Sequence, residues 1–197
     1  SYGTGIVGTV SGTAISFGTA VVFESADTAY LSSAFDTVAG KVVIAYTDVG
    51  NSSYGTGIVG TVSGTAISFG TAAVFKTDST GANKSVVYDT NGDKSIISYR
   101  DQNSSGDPTV VVGTVTGTAI AFGSDVVVAN TNSQFVISVY DSTNYKVVTS
   151  YYDSDNSSYG TSVVGGLTTS FVTTSNYYVQ PDGTFATSAG TPSVKAG

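Results

Sequence analysis

Residues 1–23, SYGTGIVGTVSGTAISFGTAVVF, return as residues 53–75, SYGTGIVGTVSGTAISFGTAAVF, and the two differ only where Val21 faces Ala73. A third, diverged copy runs from Thr109 to Val128 (TVVVGTVTGTAIAFGSDVVV), and a fourth opens at Ser158 to Gly165 (SYGTSVVG) before departing. The stretches between the copies repeat as well. Phe35-Asp36 aligns with Tyr88-Asp89 and Tyr140-Asp141, Lys41 with Lys94 and Lys146, and Tyr46 to Asp48 with Tyr99 to Asp101 and Tyr151 to Asp153, at offsets of 52 or 53. A period of this length belongs to solenoids, propellers and tandem arrays, in which one unit cannot bury its apolar face alone.

Within one period, four strand-like runs stand out: Leu31 to Asp36, Val42 to Asp48, Gly55 to Val62 and Ala66 to Phe75. Val42, Ile44 and Tyr46 alternate with Val43, Ala45 and Thr47, so this strand is apolar on both faces and is expected between two layers. Ile67 and Phe69 alternate with Ala66 and Ser68, the pattern of a strand buried on one face. Turn residues separate the runs at Val38-Ala39-Gly40, at Asp48 to Ser53, and at the hairpin tip Ser63-Gly64-Thr65. The expectation is an all-β chain of four-stranded antiparallel repeats of about 52 residues, β-propeller-blade-like, with a β-sandwich or tandem β array as the alternative. Residues 1–166 form the tandem β repeats, with units near 1–29 (partial), 30–82, 83–134 and 135–166 (partial). Residues 167–197 are a divergent C-terminal segment, in which Tyr177 to Thr187 reads as a hairpin around Pro181-Asp182-Gly183. That hairpin is a candidate to pair with the N-terminal strands, within one chain to close a ring or between chains to build a filament.

Composition removes whole classes of chemistry. The chain has no His, Cys, Met or Trp, which excludes a Cys/His zinc site, a Cys nucleophile, a Ser-His-Asp triad and any disulfide. The net charge of −7 repels phosphate backbones and anionic lipid, so no nucleic-acid partner is expected. No apolar stretch approaches the roughly 20 residues of a spanning helix, and no membrane insertion is expected. The opening Ser1-Tyr2-Gly3-Thr4 has neither an initiator Met nor the pattern of a signal peptide, as in a processed product or part of a longer chain.

Four residue patterns invite a chemical reading. Asp48, Asp101 and Asp153 precede polar loops, like the Asp-box hairpins of sialidase propellers, but Arg100 is the sole arginine, too few to hold a substrate carboxylate. Their expected work is to accept backbone N–H groups within their own turns. Asp36, Asp89 and Asp141 recur at strand ends. A glycosidase pair needs two carboxylates in unlike environments, which repetition works against, so these are expected to bond within the turn or across to Lys41, Lys94 and Lys146. Asp153-Ser154-Asp155-Asn156-Ser157 has the alternate oxygen ligands of a calcium loop but lacks its Gly and distal Glu, so no metal, cofactor or catalytic residue is assigned. Tyr2, Tyr54, Tyr159, Tyr151 and Tyr152 sit beside loops, where tyrosine packs strand ends or stacks on sugar rings. Finally, Asn51-Ser52-Ser53, Asn103-Ser104-Ser105 and Asn156-Ser157-Ser158 place an Asn-x-Ser sequon after the second strand of three units, with a fourth at Asn83-Lys84-Ser85. Asn51, Asn103, Asn156 and Asn83 are therefore the candidate glycosylation sites.

The phrase Ile-Val-Gly-Thr-Val-Ser-Gly-Thr-Ala-Ile-Ser-Phe-Gly-Thr at 6–19 and 58–71, with Lys41 to Tyr46 between, resembles tandem repeats in large structural proteins of aquatic bacteriophages and bacteria. Residues Tyr177 to Thr184 and Thr191 to Gly197 are similar to a short module near the C-terminus of tail-fibre-like proteins of such phages, in which further strand sequence follows. The resemblance implies a virion appendage or cell-surface fibre and carries no catalytic residue. The expected function is thus a non-enzymatic structural subunit of an extracellular or virion-surface fibre that self-associates into a filament. The alternative is a carbohydrate-binding β-propeller adhesin or receptor-binding tail protein whose partners are glycans.

Overall fold

The computed structural model describes residues 1–166 and, beyond them, three short strands at 177–179, 185–186 and 194–196. It is all-β, with every named strand pair antiparallel. The strands are β1 (Tyr2–Gly5), β2 (Gly8–Ser11), β3 (Ala14–Phe17), β4 (Val21–Asp36), β5 (Lys41–Asp48), β6 (Tyr54–Ser63), β7 (Ala66–Phe69) and β8 (Ala73–Ser79). They continue with β9 (Ser85–Asp89), β10 (Lys94–Asp101), β11 (Asp107–Thr116), β12 (Ala119–Phe122), β13 (Val126–Val127), β14 (Ser133–Asp141), β15 (Lys146–Asp153) and β16 (Tyr159–Gly165).

A first sheet runs β1-β4-β5-β6-β7 with β8 also on β6, a second runs β12-β11-β10-β9 with β13 also on β11, and a third runs β14-β15-β16. The run expected as one strand from Ala66 to Phe75 is two. β7 pairs with Gly60 to Ser63 and β8 with Tyr54 to Gly57, so the two lie end to end along one edge of β6. They separate because the amide of Gly70 donates to the Val59 carbonyl at 2.9 Å, which closes the hairpin and lets the chain step down the edge. The hairpin tips at Gly12, Gly64 and Gly117 all have φ near +60°, the conformation that admits glycine in the first loop position of a two-residue hairpin.

The first strand of the repeat is also longer than expected. β4 pairs with β1 through Asp27 and with β5 from Thr28 onward, and its register slips between Ala29 and Ser32. Tyr30 sits in that slip with φ 54°, and Asn83 and Phe135 take positive φ before β9 and near the start of β14. The extra residue at a bulge sharpens the local twist and bends the strand. In β4 it turns the N-terminal segment over the face of β5 and β6, where Phe23 enters between Tyr46 and Phe69 at centroid distances of 5.4 and 5.2 Å.

Packing between sheets uses both faces of the central strands, as the double alternation in β5 requires. Val43, Ala45 and Val59 of the first sheet form one cluster with Val86, Ile97, Tyr99 and Val111 of the second. Ile44, Tyr46 and Ile58 point the opposite way, toward Phe23 and Phe69. Ile96 and Val110 of the second sheet meet Val147 of the third. Each such side chain contributes about 1.5–3 kcal/mol by leaving water. The glycines of the repeated phrase mark where successive sheets touch. A Cβ on Gly57 would stand 2.7 Å from the ring of Phe122, and one on Gly70 only 1.8 Å from the Thr118 carbonyl oxygen. Within the first sheet a Cβ on Gly5 of β1 would stand 2.7 Å from the ring of Phe69 in β7, and one on Gly18, after the β2–β3 hairpin, 2.0 Å from the Thr65 carbonyl oxygen of the β6–β7 hairpin.

At the C-terminus, β17 (Tyr177–Val179) pairs with β18 (Phe185–Ala186), as the hairpin reading expects, and also with β19 (Val194–Ala196). The Pro181-Asp182-Gly183 turn lies outside the described residues. The expected pairing of this hairpin with the N-terminal strands is not formed within the chain: among the described residues β1 pairs with β4, and β2 pairs with β3.

Candidate functional site

The repeated carboxylates are held by their own turns. Oδ1 of Asp36 accepts from the amides of Val38 and Ala39 at 3.0 and 2.8 Å, Oδ1 of Asp89 from Asn91 and Gly92 at 2.9 and 3.0 Å, and Oδ1 of Asp141 from Thr143 and Asn144 at 2.9 and 3.1 Å. The alternative bonding to lysine is absent among the described residues. Lys41 and Lys94 lie opposite Asp36 and Asp89 in register, but Lys41 Nζ donates to Thr61 Oγ1 at 3.0 Å and Lys94 Nζ to the Asp93 carbonyl at 2.9 Å. The turn donors hold each carboxylate, so the ammonium turns away.

The second set behaves likewise and adds contacts between sheets. Asp48, Asp101 and Asp153 accept from the amides of Asn51, Asn103 and Asp155 at 3.0, 3.1 and 3.2 Å. Asp101 also receives Lys76 at 2.7 Å, and Lys76 reaches Asp125 at 2.9 Å, which ties the first sheet to the second. Burial pulls the Lys76 ammonium down, but the two carboxylates more than offset this and its pKa is raised overall. At the N-terminal side the place of Lys76 is taken by Glu24. Burial, and after it the charge of Glu24, hold the Asp48 carboxyl above its ordinary range. In the segment read as half a calcium loop, Asp155 Oδ2 accepts from the Asn132 amide at 2.9 Å and the Thr131 hydroxyl at 3.2 Å, and Asp153 accepts from Thr131 as well. These oxygens are turned toward β14's entry and its hydrogen-bond donors.

The sequon loops have equal length, yet the sequons do not coincide. Counting from Asp48, Asp101 and Asp153, the left-handed residues fall at Ser52 and Ser53, at Ser105 and Gly106, and at Ser157 and Ser158. Asn51 and Asn156 therefore share a position, while Asn103 stands one residue earlier in its turn. All three are exposed, whereas Asn83 is half-buried, with positive φ, just before β9. The tyrosines divide between roles: Tyr151 is buried, Tyr54 and Tyr152 are half-buried, and Tyr2 and Tyr159 are exposed. Tyr152 lines an open groove with Phe135, Ile137, Ser150 and Ser162 on the third sheet.

One group escapes a reading by motif. Lys84 is 7% exposed, its Nζ donates to Thr47 Oγ1 and to the Gly81 carbonyl, and it stands 5.8 Å over the Tyr30 ring. Among the described residues no carboxylate pairs with it, and burial pulls its pKa down to about 7. The signal was in the alignment of the repeats, where Lys84 stands in one column with Leu31 and Val136. Val136 in that column is fully buried while Leu31 is half-exposed, so the lysine stands out as a charge in an apolar column and the structure shows that it is buried.

Another groove, of about 430 Å³, lies beside β1 on the first sheet, with Ile6, Val7, Phe23, Leu31, Ile44 and Val62 among its walls. No protein-family model, curated protein or solved structure matches this chain.

Proposed function

We propose that the chain is a non-enzymatic structural subunit of an extracellular or virion-surface fibre, assembled from blade-like units by β-strand pairing between repeats or subunits. The observation that carries this reading is that successive sheets share their cores: Val43, Ala45 and Val59 of the first pack with Val86, Ile97, Tyr99 and Val111 of the second, and Ile96 and Val110 of the second with Val147 of the third. Each unit thus buries an apolar face on the next, which is the property of an array. The carboxylates support the non-enzymatic part, since the two repeated sets accept hydrogen bonds within their turns. Negative-stain imaging of native material tests the proposal. A regular axial repeat is expected, and isolated discs or knobs would refute it.

The groove at Tyr152 favours a second reading, a carbohydrate-binding adhesin, because it sets Phe135 and Tyr152 beside the hydroxyls of Ser150 and Ser162. Binding on a glycan array that is lost in Tyr152→Ala would support it over the first. Covalent sugar on the exposed loop asparagines belongs to either reading. An intact mass above that of the bare polypeptide is expected, and mass equal to it would remove the modification.

A further inference from the structure

The first strands of the three units meet without sharing a sheet. β9 and β14 are the end strands of their sheets, and β4 from Ala29 onward has β5 alone as its ladder partner, yet β9 lies against both β4 and β14. An end strand turns amides outward that need acceptors. Two of these amides are met by a serine of the unit before. The Val86 amide donates to Ser32 Oγ at 3.0 Å, and the Ser138 amide donates to Ser85 Oγ at 3.1 Å, whose hydroxyl donates in turn to the Ser138 carbonyl at 3.3 Å. The positions repeat. Ser32 and Ser85 stand four residues before the turn aspartates Asp36 and Asp89, while Val86 and Ser138 stand three before Asp89 and Asp141. A second contact recurs at the far end of the same strands, from the residue just before the aspartate. The Tyr140 hydroxyl accepts from the Asn91 amide at 3.3 Å, inside the turn that Asp89 closes. The Tyr88 hydroxyl donates to Asp93 Oδ1 at 2.6 Å. Burial, and after it the carboxylates of Asp93 and Asp36, hold its pKa above the ordinary value, so Tyr88 stands against the first unit's turn as Tyr140 stands against the second's. Asp36 and Asp89 are each only 3% exposed.

We infer that these two contacts form the docking pattern between consecutive units: a serine four residues before the turn aspartate receives the first strand of the following unit, and a tyrosine one residue before it caps the turn of the preceding unit. The inference deepens the array reading and rests on it. The partner of each unit is thereby defined as another unit of the same repeat, with an outward amide three residues before its aspartate and a phenol one residue before it. A serine hydroxyl suits the first place because it both accepts and donates, so it can serve the amide and the carbonyl of one edge residue, as Ser85 does for Ser138. Register follows from the spacing. The two contacts lie at opposite ends of one strand, and a slip of one residue, about 3.3 Å, breaks both. The pattern also has a direction, and of the three units the second carries both halves. Phe35 takes the tyrosine place in the first and Ile137 the serine place in the third, so the first-to-second junction uses Ser32 with Tyr88, and the second-to-third junction uses Ser85 with Tyr140.

Residue-resolved hydrogen exchange on the full chain provides the test. Ser32→Ala should speed exchange at the Val86 amide about fivefold or more and leave the Ser138 amide unchanged, and Ser85→Ala should do the reverse. Tyr88→Phe should speed Val86 alone and Tyr140→Phe should speed Ser138 alone, each by a smaller factor. Every one of these changes leaves the apolar core intact, which unchanged protection of the buried Ile97 verifies. A serine variant that speeds both amides equally would report lost global stability in place of docking and would overturn the inference. Native exchange at Val86 in Ser32→Ala, or tyrosine variants that leave their own junction unchanged, would overturn it too. Its failure is separable from that of the array reading, because exchange is read within one chain, whereas the array reading stands or falls on the axial repeat in images.

Discussion

Replacing Lys84 by Met should stabilise the protein, and the gain should depend on pH in a set direction. Lys84 is buried with no carboxylate beside it among the described residues, and its pKa falls from the ordinary 10.5 to about 7. A lysine whose folded pKa lies below its unfolded one costs stability wherever it is charged. That cost is fully present below pH 7, shrinks as pH rises through the interval, and is gone above 10.5. A shift of this size corresponds to about 5 kcal/mol at about 1.4 kcal/mol per unit. Part of this is recovered by the bonds to Thr47 and Gly81, which the methionine forfeits at about 1 kcal/mol each. The expected net gain is about 2–3 kcal/mol at pH 6. Methionine suits the site because Val136, in the same column of the repeat, is fully buried. Urea unfolding of both proteins at pH 6, 7.5 and 9 should show native stability rising with pH and the variant nearly flat, so that the gap closes. Above pH 10 both should lose stability, because burial pushes Tyr46, Tyr99 and Tyr151 up, the last to about 12, while unfolded tyrosines ionise. A Met variant less stable than the native protein at pH 6, or parallel pH profiles between 7 and 9, would refute the reasoning.

Gly70→Ala should destabilise by about 3 kcal/mol or more, read from the urea midpoint, because its Cβ would fall 1.8 Å from a backbone oxygen of the next hairpin. Gly18→Ala makes the same clash, at 2.0 Å from the Thr65 carbonyl oxygen, but Gly18 closes the exposed β2–β3 hairpin, which can give way, so a smaller loss is expected there. Glu24→Lys should copy the Lys76 arrangement onto Asp48 and add about 1 kcal/mol at pH 7. Because the Asp48 pKa is raised, its contribution to native stability is present below its unfolded pKa and lost as pH rises through the folded one, so the gain should shrink as acid pH protonates Asp48. Tyr145→Gly should raise the thermal midpoint by a few degrees, since Tyr145 holds φ 57° where Gly40 stands at φ 64° in the first repeat, and a left-handed tyrosine costs about 1 kcal/mol.

What the sequence made legible was whatever depends on neighbours along the chain. The turn aspartates were readable because an Asx turn is closed by donors two and three residues on, as the Asp36 and Asp89 geometry shows. The two-faced burial of β5 was readable because alternation is local to seven residues. The strand boundaries around Gly70 were not, since the split between β7 and β8 depends on which part of β6 each one finds. The sequon offset is already in the sequence, where Asn103 stands two residues after Asp101 while Asn51 and Asn156 stand three after Asp48 and Asp153, and the left-handed pair in each loop shows that the aspartate is the point to count from. Lys84 looked like the middle of a sequon until its column was compared across repeats. The clearest limit is the pair Ile6 and Ile58. Identical local sequence yields one buried and one half-exposed residue, so no reading of the segment itself can tell them apart. Ile58 is buried because Ile44, Tyr46, Phe23 and Phe69 gather around it, and those contacts come from strands distant along the chain, which local pattern does not carry.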